Sequence, residues 1–457
     1  MQEIGCSKAG RVALVLALTL LVAVGGADAA ARKTKRKPAR KVVPKPPPVA
    51  VWHVETPEGN VLDSRQGDLP VNPASVTKVA TTLWALETLG PDRRFETRFL
   101  ARGTVDRSTG TLHGDLLVEG GGDPDFHVEN ALLVLAELDR IGVRRVTGDL
   151  IVDSRFWMGW EDGSEGRQPD PHARGALMSQ RLKGALQPRS WTKWTRATWR
   201  QTAPLVGAAA RDPALVIAGQ ARTADPLPEP TTLLVVHRSR PLVQTLRAFN
   251  AHSNNDIERI GDHMGGGPDL AAWLAERWHL EPGTLRFETT SGLGVNRISP
   301  RLIVHLVRDL SFTAERLGLP LDELLPTSGC DKGTVASFFP RLGKGPYVAS
   351  VTGKTGTLIT TDNGVSVFAG IARTAEGEQI FAVAVPNARG RLRAARRVEE
   401  DFVLRLVDRL GGPEARACAA PLPDRLVMTE VENPFTPRAR ATPAAAAERA
   451  SVPGGAP

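Results

Sequence analysis

The chain has 457 residues, 41% hydrophobic and 24% charged, with a net charge of +8. This suits a globular protein of two or three domains with real cores. Three cysteines are too few for a cysteine-built metal cluster, and nine histidines show no metal-ligand spacing such as H-E-x-x-H.

The first element is an apolar run, Val12 to Val24, broken only by Thr19 and preceded by Lys8 and Arg11. It is short for a bilayer span, and Ala27-Asp28-Ala29 offers a small-x-small cleavage site. Residues 1–30 are therefore expected to be a signal peptide, with an uncleaved anchor as the alternative, and the mature protein is expected to be exported, in the periplasm or with the cell envelope. Residues 31–49 follow as a Pro-rich linker whose eight cations (Arg32, Lys33, Lys35, Arg36, Lys37, Arg40, Lys41, Lys45) equal the whole net charge. The arm at 32–45 reads either as a stiffened tether on anionic lipid or wall polymer, or as a solvated linker without a partner. The rest of the chain is neutral, which argues against nucleic acid as a partner.

A strand is expected over 51–61, then a turn at Asn72-Pro73 and a helix with an apolar stripe at Val79, Leu83 and Leu86, ending at Gly90-Pro91. Residues 96–126 alternate and break at glycines as β-hairpins do; ALLVLAELDRIG reads as a helix and RRVTGDLIVDSRF as strand. From Trp157 to about Arg200 no regular pattern is legible. Beyond it come a strand, helices around HSNND, a helix starting at Ser299-Pro300, three successive strands between Tyr347 and Pro386, and a closing helix that ends at glycine. An outer α/β domain, residues 50–97 and 235–412, would thus be interrupted by a β-rich insertion over 98–234. Residues 413–457 would form a tail, disordered from about 433. Cys330 and Cys418 could pair in an oxidising compartment.

Three clusters carry chemistry. Ser75 and Lys78 stand one helical turn apart at a helix start, which places an amine beside a hydroxyl. A serine needs such a base to become a nucleophile, and a buried amine loses its proton readily. Ser253-Asn254-Asn255 lies between two helical patterns, and Lys354-Thr355-Gly356-Thr357 lies on an expected strand. Ser-x-x-Lys, Ser-x-Asn and Lys-Thr-Gly, in this order, are the working parts of penicillin-interacting serine enzymes. A second Ser-x-x-Lys, Ser190 to Lys193, lacks a clean helix and reads as chance. Gly120-Gly121-Gly122 reads as a turn, Gly265-Gly266-Gly267 as a helix terminus, and His252 points away from its neighbour Ser253. Trp191, Trp194 and Trp199 read as packing residues, with sugar stacking as the alternative.

With NPASVTK, HGDLLVEGGGDP, VTGDLIVD, HSNND, SGLGVNRISP and GKTGTL, the chain resembles the D-alanyl-D-alanine carboxypeptidases/endopeptidases of the class C low-molecular-mass penicillin-binding proteins, from about Val51 to Gly412. The resemblance implies a β-lactamase/transpeptidase-like α/β (α+β) fold, an antiparallel sheet flanked by helices, with β-rich domains inserted between the first and second motifs. It implies that Ser75 attacks the D-Ala-D-Ala carbonyl, that Lys78 takes its proton, and that Ser253 relays a proton to the leaving amine. Asn255 would hold Lys78 and the substrate amide, and Lys354 would supply charge. Thr355 and Thr357 would help hold the substrate carboxylate, which Lys354 also approaches, with Gly356 between them on the substrate-binding strand. The backbone N–H groups of Ser75 and Thr357 would form the oxyanion hole. No metal or cofactor is called for; the implied partners are peptidoglycan stem peptides and β-lactams as covalent inhibitors. The chain departs from the pattern at Thr289-Thr290, where Asp-Gly is common, and after GKTGTL. A β-lactamase or esterase on the same parts, and a non-catalytic wall-binding protein, remain the alternative functions. The Tyr-x-Asn and Glu-x-x-Leu-Asn signatures of two β-lactamase classes do not occur.

Overall fold

The computed structural model describes residues 49–159, 170–208 and 212–435. The expected signal segment, the basic arm at 32–45 and the chain beyond 435 lie outside the described residues. Among the described residues no helix is long and apolar enough to cross a membrane.

In chain order, β1 (Val51–Glu55) and β2 (Val61–Arg65) form a hairpin where a single strand is expected, because the chain turns at Thr56–Asn60. Then come α1 (Thr77–Leu89), β3 (Glu96–Asp106), β4 (Thr111–Gly120), α2 (Val128–Arg140), β5 (Arg145–Val146) and β6 (Leu150–Val152). They are followed by α3 (Pro171–Leu186), α4 (Lys193–Thr202), β7 (Val216–Ile217), β8 (Ala221–Thr223) and β9 (Thr232–Arg238). The second half has α5 (Leu242–His252), α6 (Ile257–His263), α7 (Gly267–Arg277), α8 (Pro300–Arg316) and α9 (Thr334–Phe338). It closes with β10 (Val351–Leu358), β11 (Val365–Thr374), β12 (Gly377–Pro386), α10 (Leu392–Arg409) and β13 (Glu430–Glu432).

The first sheet is antiparallel, in the order β10-β11-β12-β1-β2. Its strands alternate with period two between two cores, as a sheet covered on both faces must. Val367, Ala369 and Ile371 of β11 face a core shared with α1, α5 and α8, while Phe368 and Ala372 face Phe402, Val403 and Leu406 of α10. The result is three layers, helices on sheet on helix. Ser299 caps α8 by accepting from Leu302 N–H at 3.3 Å, with Pro300 in the first turn, as its sequence suggests.

The second sheet runs β13-β9-β3-β4-β5-β7, with β6 pairing β4 and β8. β3 and β4 form the expected hairpin, whereas β5 to β8 join by short parallel pairings. Between 98 and 234 the structure has the expected helix, α2, and adds α3 and α4, all packed on that sheet around Leu132, Leu135, Met178, Leu182 and Trp199. The patternless reading of Trp157 to Arg200 is corrected by α3 and α4. Asp170 caps α3, accepting from His172 and Ala173 N–H, and Thr192 caps α4, accepting from Thr195 N–H.

Residues 413–435, expected to begin a tail, are instead tied to the body. Cys418 is disulfide-bonded to Cys330. β13 pairs β9, Val431 is buried in the core of the second sheet, and Asn433 is buried as well.

Candidate active site

Ser75 stands on a single 3₁₀ turn, Ala74–Val76, that leads into α1. Asn72 builds this entry: its side-chain oxygen accepts from Ala74 N–H at 3.0 Å and its amide donates to the Gly294 carbonyl at 3.0 Å. Two glycines press on the turn from either side. A Cβ on Gly356 would lie 2.4 Å from the Pro73 carbonyl oxygen and 3.1 Å from Ser75 N, and one on Gly292 would lie 1.9 Å from the Ala74 carbonyl oxygen. The close approach of β10 and of the 291–294 loop to the serine requires glycine at both positions. Ser75 itself is half-exposed, whereas Asn72 to Ala74 and Val76 to Leu86 are buried. So α1 is buried on nearly all sides rather than along one stripe. Its threonines are satisfied: Thr81 donates to the Thr290 carbonyl at 2.6 Å and Thr82 accepts from Asn250 of α5 at 2.9 Å.

Two fully buried lysines face each other across the site. Lys78 Nζ donates to Ser75 Oγ and to Asn255 Oδ1, both at 2.9 Å, and to the Ser291 carbonyl. Burial pushes its pKa down to about 7, with the nearby Glu258 carboxylate opposing the shift. Lys354 Nζ donates to Ser253 Oγ at 3.0 Å and to the Thr355 carbonyl at 2.8 Å. Burial, with the charge of Lys78 added, holds its pKa well below the ordinary lysine range. Ser253 ends α5 in the left-handed region at φ 56°, which aims its hydroxyl at Lys354 rather than onward along the helix. Its neighbour His252 is exposed.

The strand register divides the third motif. Lys354 and Gly356 pair with Ala369 and Val367, on the face toward α1; Thr355 and Thr357 pair with Phe368 and Ser366, on the face toward α10. Thr355 Oγ1 donates to Thr334 Oγ1 at 2.7 Å, and Thr357 Oγ1 accepts from Arg396 at 3.3 Å.

The five residues expected to do chemistry thus form two hydrogen-bonded groups, Ser75 with Lys78 and Asn255, and Ser253 with Lys354, near enough that the charge of Lys78 acts on Lys354. Ser190 joins neither: it is exposed, its hydroxyl donates to the Gln187 carbonyl at 2.8 Å, and the helix beginning at Lys193 carries no partner for it. Trp191 and Trp199 are packed, and Trp194 is 61% exposed. Among the described residues no group of three or more His, Cys, Asp or Glu side chains could hold a metal ion.

Sequence reading missed Glu258. This buried carboxylate on α6 accepts Thr290 N–H at 3.1 Å and Ser291 N–H at 2.7 Å, fixing the carbonyl that Lys78 uses. Its only sequence signal is its place one turn after Asn255. In the same loop Thr289 Oγ1 accepts Gly292 N–H at 3.1 Å and donates to the Leu293 carbonyl at 2.6 Å, closing the turn at the position where the motif departs from Asp-Gly. The second sheet reaches α6 through Arg259, whose guanidinium lies 3.6 Å over the Trp157 ring and pairs with Asp256 at 2.6 Å.

A family profile described as D-Ala-D-Ala carboxypeptidase 3 (S13) matches residues 46–174 and 215–406, more than half of the chain. The chain belongs to this S13 family. A D-alanyl-D-alanine carboxypeptidase of Actinomadura sp. (strain R39) is 38% identical over 104 residues, 23% of this chain and 19% of that protein. The D-alanyl-D-alanine carboxypeptidase DacB of Haemophilus influenzae is 30% identical over 106 residues, 23% of this chain and 22% of that protein. The chain thus matches about a fifth of the length of these S13-like relatives. Among solved structures, the predatory endopeptidase Bd3459 of Bdellovibrio bacteriovorus superposes with a TM-score of 0.69 at 21% identity, covering 82% of this chain and 96% of that one. Penicillin-binding protein 4 (dacB) of Haemophilus influenzae superposes with a TM-score of 0.54 at 18% identity, covering 78% and 96%. These likenesses establish the fold of this S13 chain.

Proposed function

We propose that the chain is a serine-type D-Ala-D-Ala carboxypeptidase, acting also as an endopeptidase on cross-links, that trims peptidoglycan stem peptides and is acylated by penicillins. The observation that carries the reading is Lys78 Nζ at 2.9 Å from Ser75 Oγ with a pKa brought down to about 7. An amine so placed is a base at neutral pH, within reach of the proton it must remove. Family membership and the likeness to Bd3459, which is also known in a penicillin G acylated form, support it.

Ser75 Oγ attacks the carbonyl between the two terminal D-residues while its proton passes to neutral Lys78. The N–H groups of Ser75 and Thr357 stabilise the oxyanion. The C–N bond then breaks, and the leaving amine takes a proton through Ser253, which is held by Lys354. The ester formed on Ser75 is cleaved by water: its hydroxyl leaves on the peptide acid, and its remaining proton restores Ser75 Oγ. Asn255 orients Lys78, and Thr355, Gly356 and Thr357 line the substrate.

The same reading places the mature protein outside the cytoplasm, in the periplasm or at the envelope, with 1–30 as its signal and the arm at 32–45 touching anionic lipid or wall polymer. It assigns residues 50–97 and 235–412 to the catalytic domain and 98–234 to an insertion.

The test is labelling of purified protein by fluorescent penicillin beside Ser75→Ala and Ser190→Ala, followed by analysis of products from muropeptides. Labelling lost only in Ser75→Ala, with free D-Ala or split cross-links released, is the expected result. An unlabelled wild type that releases neither product overturns the reading and favours a wall-binding protein.

A further inference from the structure

The folded body concentrates positive charge in one stretch. Residues 171–208 hold seven lysines and arginines and no aspartate or glutamate, although the chain outside the 32–45 arm is neutral overall. This stretch carries α3 and α4. Arg196 of α4 pairs with Asp212, and its guanidinium lies 5.7 Å from the centre of the Trp191 ring. Arg189, Lys193 and Arg200 are exposed and form no ion pair among the described residues. Arg189 stands on the short turn before α4, which Arg196 ties to the helix by donating to the Pro188 carbonyl at 3.4 Å. Exposed positions recur every three to four residues from Lys193 to Leu205, opposite the buried Thr195, Thr198, Trp199 and Thr202. This outer face holds Trp194, 61% exposed, and Leu205, 52% exposed.

A single exposed apolar side chain is ordinary on a protein surface. A tryptophan and a leucine on one helix face, among cations and without an acid, form a distinct chemical pattern. We infer that the outer face of α4 is a docking surface for a membrane of anionic phospholipid, on which the helix lies in the plane of the headgroups. Tryptophan settles at headgroup depth, leucine reaches the acyl boundary, and unpaired cations are drawn to lipid phosphate. A glycan strand fits this face less well, because sugar hydroxyls need acceptors and the face has no carboxylate. A second copy of the chain fits less well too, because a two-fold contact would set like charges against each other. The surface belongs to the folded body and is separate from the arm at 32–45. It goes beyond the peptidase reading and does not depend on it.

The test measures sedimentation of the mature protein with vesicles of phosphatidylcholine alone and of phosphatidylcholine mixed equally with phosphatidylglycerol. The background is the protein with its arm cations at 32–45 replaced by glutamine, so that the arm does not mask the helix. This background is expected to bind the phosphatidylglycerol vesicles, less so as salt is raised, and not the neutral ones. Arg189→Gln, Lys193→Gln and Arg200→Gln together should weaken binding about a hundredfold, or fivefold per cation. Trp194→Ala should weaken it roughly tenfold, and Lys193→Arg should leave it unchanged. Brominated lipid should quench tryptophan emission in the background and not in Trp194→Phe. Circular dichroism checks that each variant keeps its fold. Absent vesicle binding in the background, or binding that neither Trp194→Ala nor the triple variant weakens, overturns the inference. Binding to isolated peptidoglycan that Trp194→Ala removes, with no binding to vesicles, assigns the face to glycan and overturns it as well.

Discussion

Glu258 accepts the backbone N–H of Ser291 at 2.7 Å, and the carbonyl of that same Ser291 accepts from Lys78. A carboxylate outside the three motifs thus sets the position of the lysine through the backbone of one residue, Ser291. Glu258→Ala should leave two buried N–H groups without an acceptor and cost about 2–4 kcal/mol of stability. It should also slow acylation of Ser75. Glu258→Gln keeps one acceptor oxygen, so it should fall between. Denaturation midpoints and penicillin acylation rates for the pair measure both effects.

The lowered pKa of Lys78 has two consequences with pH. Acylation needs the neutral amine, so its rate should rise to a plateau above about 7 and fall about tenfold per unit well below it. Stability should follow as well. Between about 7 and 10.5 the unfolded chain holds a proton on this lysine that the folded chain has lost, so stability rises with pH across that window. Lys78→Met should abolish acylation and reduce the gain in Tm over the same window. Lys354, lowered in the same direction, leaves a residual slope.

Gly356→Ala tests the close approach of β10 to the serine turn. Its new Cβ would sit 2.4 Å from the Pro73 carbonyl oxygen, so strand and turn must separate. A shift near 1 Å at a reacting group costs on the order of a hundredfold in rate. The acylation rate should fall by about that much while the circular dichroism spectrum stays native. Normal acylation in this variant would show that the contact yields without affecting the serine.

Much of this site was legible because its motifs are local. Ser75 and Lys78 share a helix face, and Lys354 to Thr357 are consecutive on a strand, so spacing alone brings each group together. Glu258 was illegible because its partners, Thr290 and Ser291, lie in a distant loop and are backbone groups that leave no mark in side-chain pattern. The fold shows the same limit at α4. Its buried face is Thr195, Thr198, Trp199 and Thr202, so the helical period is present but written largely in threonine. Its exposed large apolar side chain is Trp194, which inverts the apolar signal. The full burial of α1 escaped notice for a similar reason, since Lys78, Thr81 and Thr82 read as a polar face until their partners are known.

Cys330→Ser should destabilise the protein by about 2–4 kcal/mol, since the bridge to Cys418 closes a span of 88 residues. Wild type should lose the same amount on addition of a reductant, and the variant should not respond to it. Denaturant titrations with and without reductant check this; equal midpoints for all four conditions would show that residues 413–435 hold without the bridge.

β13 bears on the order in which the molecule is made. The second sheet begins with β3 near residue 96, yet β9 gains its outer neighbour only at Glu430–Glu432, after α10 has been synthesised. During vectorial synthesis β9 therefore emerges as an open edge, a row of unpaired N–H and C=O groups prone to join another chain. A ribosome-bound or C-terminally clipped molecule ending near Gly412 would carry Ser75, Lys78, Ser253, Asn255 and Lys354 and still lack the strand that covers the edge of β9.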